Sequence, residues 1–165
     1  CKDITNFVGK ALKQRKYFIA LVKDFKIMKL KNIPTGNSKE DIKTRERIIS
    51  DFYYEWKRSN PTQRLFNIDL KDYINIRHIS IIETVEHAAR TYLSTLAVLQ
   101  LDSILTLAKK VRIVNVKPKD KNQNQFEKMI KMEYNLVGIG KVSLIVGVKR
   151  SNKEKVQYCI TAIKT

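Results

Sequence analysis

The chain has 165 residues, 33 of them Lys or Arg and 16 Asp or Glu, for a formal charge of +17. That length suffices for one domain with a real core, alone or with a helical extension. No apolar run approaches the roughly 18 residues of a membrane-spanning helix, and two cysteines at opposite ends, Cys1 and Cys159, exclude a disulfide framework and a zinc pattern.

The positive excess is spread along the chain, with 15 basic and 7 acidic residues up to Asn60 and 18 and 9 after it. Such a charge opposes compaction by self-repulsion and attracts polyanions at long range. Nucleic acid is therefore the leading partner class, ahead of an acidic protein or an anionic membrane surface. A lysine-rich genome produces the same bias with no partner at all. The cysteine usage points to a reducing compartment, the cytoplasm, or to brief export. A first residue other than Met points to a piece of a longer protein, which could deliver this segment into a target cell. The apolar stretch Tyr17–Val22 is too short for the core of a signal peptide.

In chain order, Ile4, Phe7, Val8, Ala11 and Leu12, then Ile19, Val22 and Phe25, recur at three- and four-residue steps and predict an amphipathic helix. Pro34 and Gly36 break it. Ser38 with Asp41 resembles a capping box and opens a second helix, with Ile42, Ile48, Ile49, Phe52 and Trp56 on its buried side. Asn60-Pro61 ends it. Trp56 reads as a core anchor rather than a base-stacking platform. Tyr73 to Ile79 alternates as a short strand. Ser80 to Ala97 has helical spacing through Ile81, Val85, Ala88 and Tyr92, and Leu99 to Lys110 follows as another helix. Val111 to Val116 is a strand or an extended lead-in, and Lys117 to Gln125 a polar loop.

Three strands close the chain, joined by turns near Gly138–Gly140 and Ser151–Lys153. Alternation places Ile130, Met132, Val142, Leu144, Val146, Val156, Tyr158 and Ile160 on one face. It places Lys131, Glu133, Ser143, Ile145, Lys149, Gln157, Cys159 and Thr161 on the other. The expected fold is α+β: a helical region over 1–60 containing two helices, then a domain over 61–165 ending in a three- to four-stranded antiparallel sheet. Its open polar face suits a charged substrate, and is equally what any half-solvated sheet presents.

The chain has two histidines. His78 falls in or beside the short strand, a structural position. His87 lies one helical turn after Glu83 and one before Thr91, with Arg90 three residues on, which suits an acid or base near phosphate. Glu83 and His87 at i and i+4 could also ligate a metal, but Glu86-His87 lacks the HExxH frame and no third ligand shows, so no metal and no cofactor is expected. RNA cleavage without metal needs a base for the 2′-hydroxyl, an acid for the leaving oxygen and a cation on the phosphorus. His87, Arg90, Glu133, Lys131, Lys149 and Thr161 supply those types, if helix and sheet face one another. Arg150 adds a cation for nucleic acid beside Lys149. No Gly-rich phosphate loop, nucleophile elbow or framed Cys-His pair is present.

The element order, and the strings ETVEHAARTY, KNQNQFEKMIKMEY and VGVKRSNKEKVQYCITA, resemble the barnase/EndoU/colicin/RelE-like (BECR) nuclease domains of phage and mobile-element polyvalent proteins. The resemblance covers Phe66 to Thr165. It implies a small domain that cleaves RNA, often tRNA, without metal, acting as a toxin or effector and commonly paired with an immunity protein. It also implies a helical His, matched by His87, and a hydroxyl near the last strand, matched by Tyr158 or Thr161; alternation favours Thr161. The leading expectation is a metal-independent ribonuclease with His87 as acid or base, Arg90 and Lys149 on phosphate, and Thr161 and Glu133 handling or orienting protons. Against it stand a non-catalytic nucleic-acid-binding domain on the same scaffold, and a basic module for an acidic protein such as an antitoxin.

Overall fold

The computed structural model describes residues 32–164; the amphipathic pattern over Ile4 to Phe25 lies outside the described residues. A helix α1 (Lys39–Ser59) comes first, then strands β1 (Arg64–Asn67) and β2 (Asp72–Asn75). Three helices follow, α2 (His78–Ala88), α3 (Tyr92–Val98) and α4 (Leu101–Leu107). The chain closes with β3 (Lys109–Val114), a 3-10 turn (Lys121–Gln123), β4 (Phe126–Leu136), β5 (Gly140–Lys149) and β6 (Lys155–Ala162). All six strands form one sheet in the order β1-β2-β6-β5-β4-β3. The fold is α+β. The sheet is larger than the three or four strands expected, and it is mixed, because β2 pairs with β6 in parallel at Asn75–Val156. The helices are not all N-terminal either, since α2, α3 and α4 are inserted between β2 and β3.

Local chemistry explains the element ends. Ser38 caps α1 through a complete capping box with Asp41. The single helix expected over Ser80–Ala97 is two helices, because Thr91 is extended and its hydroxyl accepts from the Ser94 amide at 3.2 Å. The carbonyls released at the break serve Arg45 of α1. Its guanidinium is fully buried and donates to the carbonyls of Ala89 (2.7 Å), Arg90 (3.4 Å), Pro34 (2.8 Å) and Gly36 (2.6 Å). A buried cation is tolerated only when its donors are filled in this way. His78 begins α2 and is not in a strand. Strand β1, four residues with no alternation to read, went unforeseen. Its buried Asn67 donates to the carbonyls of Leu105 (2.8 Å) and Ala108 (3.0 Å), fastening it to the end of α4.

The main core lies between the helices and one sheet face, where Ile130, Met132, Val142, Leu144, Val146 and Ile160 meet Ile49, Tyr53, Trp56, Ile81 and Leu101. Helix α1 thus shares its core with the sheet. The other face carries a second, smaller cluster of Phe126, Met129, Val156 and Tyr158. A bulge creates it. Ile145 pairs with Cys159, but Val146 pairs with Gln157, leaving Tyr158 as an extra residue. The parity of β6 reverses there, so Gln157 faces the helices, and Val156 and Tyr158 sit on the face that simple alternation makes polar. That face is therefore not wholly open. The cluster is tight: a Cβ on Gly147 would lie 2.6 Å from the Phe126 ring.

Gln157, fully buried, joins three elements. The Tyr53 hydroxyl donates to its Oε1 at 2.6 Å, and its Nε2 donates to Thr84 Oγ1 at 2.7 Å. Burial pushes the Tyr53 phenol far above its ordinary value despite bonds to Thr84 and Gln157. Replacing Gln157 with Leu leaves the Tyr53 and Thr84 hydroxyls with only each other as partners, and should cost about 1–3 kcal/mol, read as a lower urea midpoint at unchanged slope. At the sheet surface Lys155 Nζ lies 2.6 Å from Asp72 Oδ2, and this bond holds the Asp72 carboxyl below the usual carboxylate range. A depressed carboxylate contributes stability above its unfolded value and loses it as pH falls through the folded one. Lys155→Met should therefore cost at most about 1 kcal/mol at neutral pH, and the gap from wild type should close as unfolding is followed down into the acid range.

Candidate functional site

Helix α2 lies along β6, fixed at two points. Thr84 meets Gln157, and beyond the end of the helix Ser94 Oγ accepts from the Ala162 amide at 2.9 Å. The helix therefore runs toward the Thr161 end of the strand. Thr84 turns to the main core, and Glu83 beside it turns to the opposite side of the sheet. The Glu83 side chain is 5 % exposed, and His87 Nε2 stands 3.3 Å from its Oε2. Asn122 Nδ2 donates to Oε1 at 2.5 Å. Both oxygens of a buried carboxylate are thus engaged, and the imidazole, 40 % exposed, is held with its other ring nitrogen uncommitted to Glu83.

Asn122 belongs to the segment expected as a polar loop, which is ordered by its own side chains. Asp120 Oδ1 accepts from the Asn122 amide at 3.0 Å, and buried Gln123 accepts from the Lys117 amide at 2.8 Å. Asp120 Oδ2 also stands 3.4 Å from the Tyr158 hydroxyl. Burial first, and then the charges of Glu83 and Asp120, push the Tyr158 phenol well above its ordinary value, against a hydrogen bond with Gln123 that pulls it down. The Cys159 thiol is pushed up to about 12, by burial and then by Glu83, with Lys117 acting the other way. Asn122, Asp120 and Gln123 were missed as site residues. Their one sequence signal is the Asp-Lys-Asn turn, which marks local hydrogen bonding without saying what it covers.

The rows of the sheet show which expected residues meet. Thr161, Ser143 and Glu133 form one row across β6, β5 and β4, and Cys159, Ile145 and Lys131 the next. Thr161, Glu133 and Lys131 thus share one face, while His87 lies on α2, a turn beyond Glu83. Glu133 lies 3.7 Å from Lys131 and 3.6 Å from Lys141. It also lines a surface hollow of about 450 Å³ with Leu107, Lys109, Val111, Tyr134, Asn135 and Lys141. Arg90 follows the end of α2, exposed, 3.7 Å from Glu86. Lys149 and Arg150 are elsewhere. Six residues along β5 from Ser143, about 20 Å at strand rise, Lys149 pairs with Glu154 at 3.3 Å and Arg150 stands exposed in the β5–β6 turn.

Ligand atoms of Glu83, Glu86 and His87 lie within 4.8 Å of one another, so the fold supplies the third potential metal ligand that the spacing did not show. Glu86 is exposed and shared with Arg90. No described helix is long and apolar enough to cross a membrane. Comparison with protein-family models, with curated proteins and with solved structures finds no match for this chain.

The Glu83–Cys159 coupling has a direct readout. In a Cys1→Ser background, native Cys159 should react with iodoacetamide at neutral pH about a thousandfold more slowly than an ordinary thiol, because the thiolate is the nucleophile. Glu83→Gln should speed it while the fold is retained.

Proposed function

We propose that the chain binds RNA and cleaves it without a metal ion, with His87 as the proton-transfer group. The observation that carries this reading is the Glu83–His87 pair: a buried carboxylate, bonded also by Asn122, orienting a half-exposed imidazole on the helix that packs along β6, the strand that carries Thr161. A carboxylate-oriented histidine is suited to take the 2′-hydroxyl proton as that oxygen attacks phosphorus. The leaving 5′-oxygen takes a proton from solvent water, relayed by Thr161 or Glu133, and His87 returns the proton it took to solvent to reset the site. Lys131 is a cation on the face of Thr161 and Glu133, and Arg90 one beyond the helix end. The charge of +17 supplies affinity for the polyanion. The acidic inhibitor that accompanies such nucleases belongs to the same proposal.

A second reading, binding without cleavage, is favoured by one observation. Lys131, Lys149 and Arg90 each have a carboxylate neighbour, Glu133, Glu154 and Glu86 respectively, and so are partly neutralised as phosphorane stabilisers.

Incubation with total RNA in EDTA separates the two. Wild type should yield discrete fragments. His87→Ala should slow cleavage about 100-fold or more, with RNA affinity in a mobility-shift assay kept within a few-fold. Intact RNA in every lane, with a salt-sensitive shift, establishes the binding reading. Cleavage that returns only with added divalent ion would instead assign Glu83, Glu86 and His87 to a metal.

A further inference from the structure

The β1–β2 ribbon carries an aromatic pair that the core does not use. Phe66 and Tyr73 stand opposite one another across the ribbon, their rings edge-to-face at 5.5 Å. Phe66 is 46 % exposed, Tyr73 41 % and neighbouring Ile68 60 %. The Arg64 guanidinium lies 4.1 Å from the centre of the Tyr73 ring. Leu65, Asn67 and Ile74, on the reverse of the ribbon, face the core, so the exposed pair is not a remnant of core packing. Two rings left together in water, with Ile68 exposed in the adjoining turn, form a patch of the kind that marks a binding surface.

The register says where this patch points. Asn75 pairs with Val156, and residues in register across a sheet share a face. Arg64, Phe66 and Tyr73, at even steps from the Arg64–Asn75 pair, therefore lie on the side of the sheet that carries Val156 and, past the bulge, Cys159 and Thr161. Val156 and Thr161 stand opposite Gly147 and Ser143, four residues apart on β5, about 14 Å at strand rise. The patch and the Thr161 row thus lie on the same side of the sheet, with the second apolar cluster between them.

The charge of the whole chain bears on the occupant, since within the hairpin Arg64 and Lys71 are matched in number by Asp69 and Asp72. Lys155 is paired with Asp72, and Arg77 with Glu154. Arg64 stacks on Tyr73, and Lys71, at the end of the hairpin turn, has no ion pair among the described residues. Cations interleaved with exposed rings on one side of a chain of charge +17 fit a ligand that is anionic and offers flat aromatic faces. We infer that Phe66, Tyr73 and Arg64 form a stacking platform for the bases of single-stranded nucleic acid, with Lys71 and the general positive field meeting its phosphates. Base stacking on aromatic side chains is tolerant of sequence and requires bases that are not enclosed in a duplex, so the platform selects single strands over double strands. It rests on the nucleic-acid half of the reading above and not on cleavage.

The test uses the full chain and a fluorescein-labelled oligothymidine, which has no 2′-hydroxyl to cleave, beside the corresponding thymidine–adenosine duplex. Fluorescence anisotropy at moderate salt should give tighter binding to the single strand. Phe66→Ala and Tyr73→Ala should each weaken single-strand binding about tenfold and change duplex binding less than twofold. Phe66→Tyr and Tyr73→Phe, which keep a ring, should retain wild-type affinity, and thermal melts verify that all four variants fold. Equal single-strand affinity in wild type and the alanine variants overturns the platform and leaves the proposed function standing. A wild type that binds neither probe, nor RNA, overturns both. A wild-type dimer in size-exclusion chromatography that Phe66→Ala dissolves, with nucleic-acid affinity unchanged, assigns the patch to self-association and overturns the platform.

Discussion

The buried relay from Tyr53 through Gln157 to Thr84 is the interaction on which the rest of this fold depends. It joins α1, β6 and α2, elements far apart in sequence, through one side chain with no access to water. A carboxamide can serve two hydroxyls at once because one end accepts and the other donates. In a low-dielectric core such a link specifies one arrangement, since any shift of the helices leaves a polar group unpaired. The β6 bulge is what makes it available. Without the extra residue at Tyr158, Gln157 would point away from the helices, and α2 would lose the bond that ties Thr84 to the sheet.

That bond bears on the site. With Thr84 held on Gln157, Glu83 faces the other side of the sheet, meets Asn122 and holds His87. The second apolar cluster under the 115–125 segment shields this carboxylate, and its charge reaches the Tyr158 and Cys159 side chains. Adjacent residues of α2 thus point in opposite directions, Thr84 into the core and Glu83 to the other side of the sheet.

Electrostatics elsewhere in the sheet follows a simple pattern. With half as many acidic as basic residues, the carboxylates are placed between cations: Glu133 between Lys131 and Lys141, Glu154 between Arg77 and Lys149, Asp72 beside Lys155. Burial acts to raise the Glu154 carboxyl, and its bonds from Arg77 and Lys149 outweigh that, leaving it below the usual range. Exposed pairs of this kind contribute little to stability individually. Their larger effect is to fix where positive charge remains uncompensated.

Much of the fold was legible from the residues alone. The α+β class, the Ser38 capping box, the buried side of α1 at Ile49 and Trp56, and the three closing strands with their turns follow from periodicity and turn chemistry, which are local properties. So does the charge, and the presence of a Glu and a His on one helix face. What only the tertiary structure decided is non-local. Strand β1 is too short to declare itself, and the break at Ala89–Thr91 is set partly by Arg45, a cation on another helix that takes the freed carbonyls. The side of the sheet on which Tyr158 and Gln157 fall depends on one inserted residue, because strand parity has a period of two and a single step reverses it. The partners of Glu83 depend on that reversal, and no spacing within α2 encodes it.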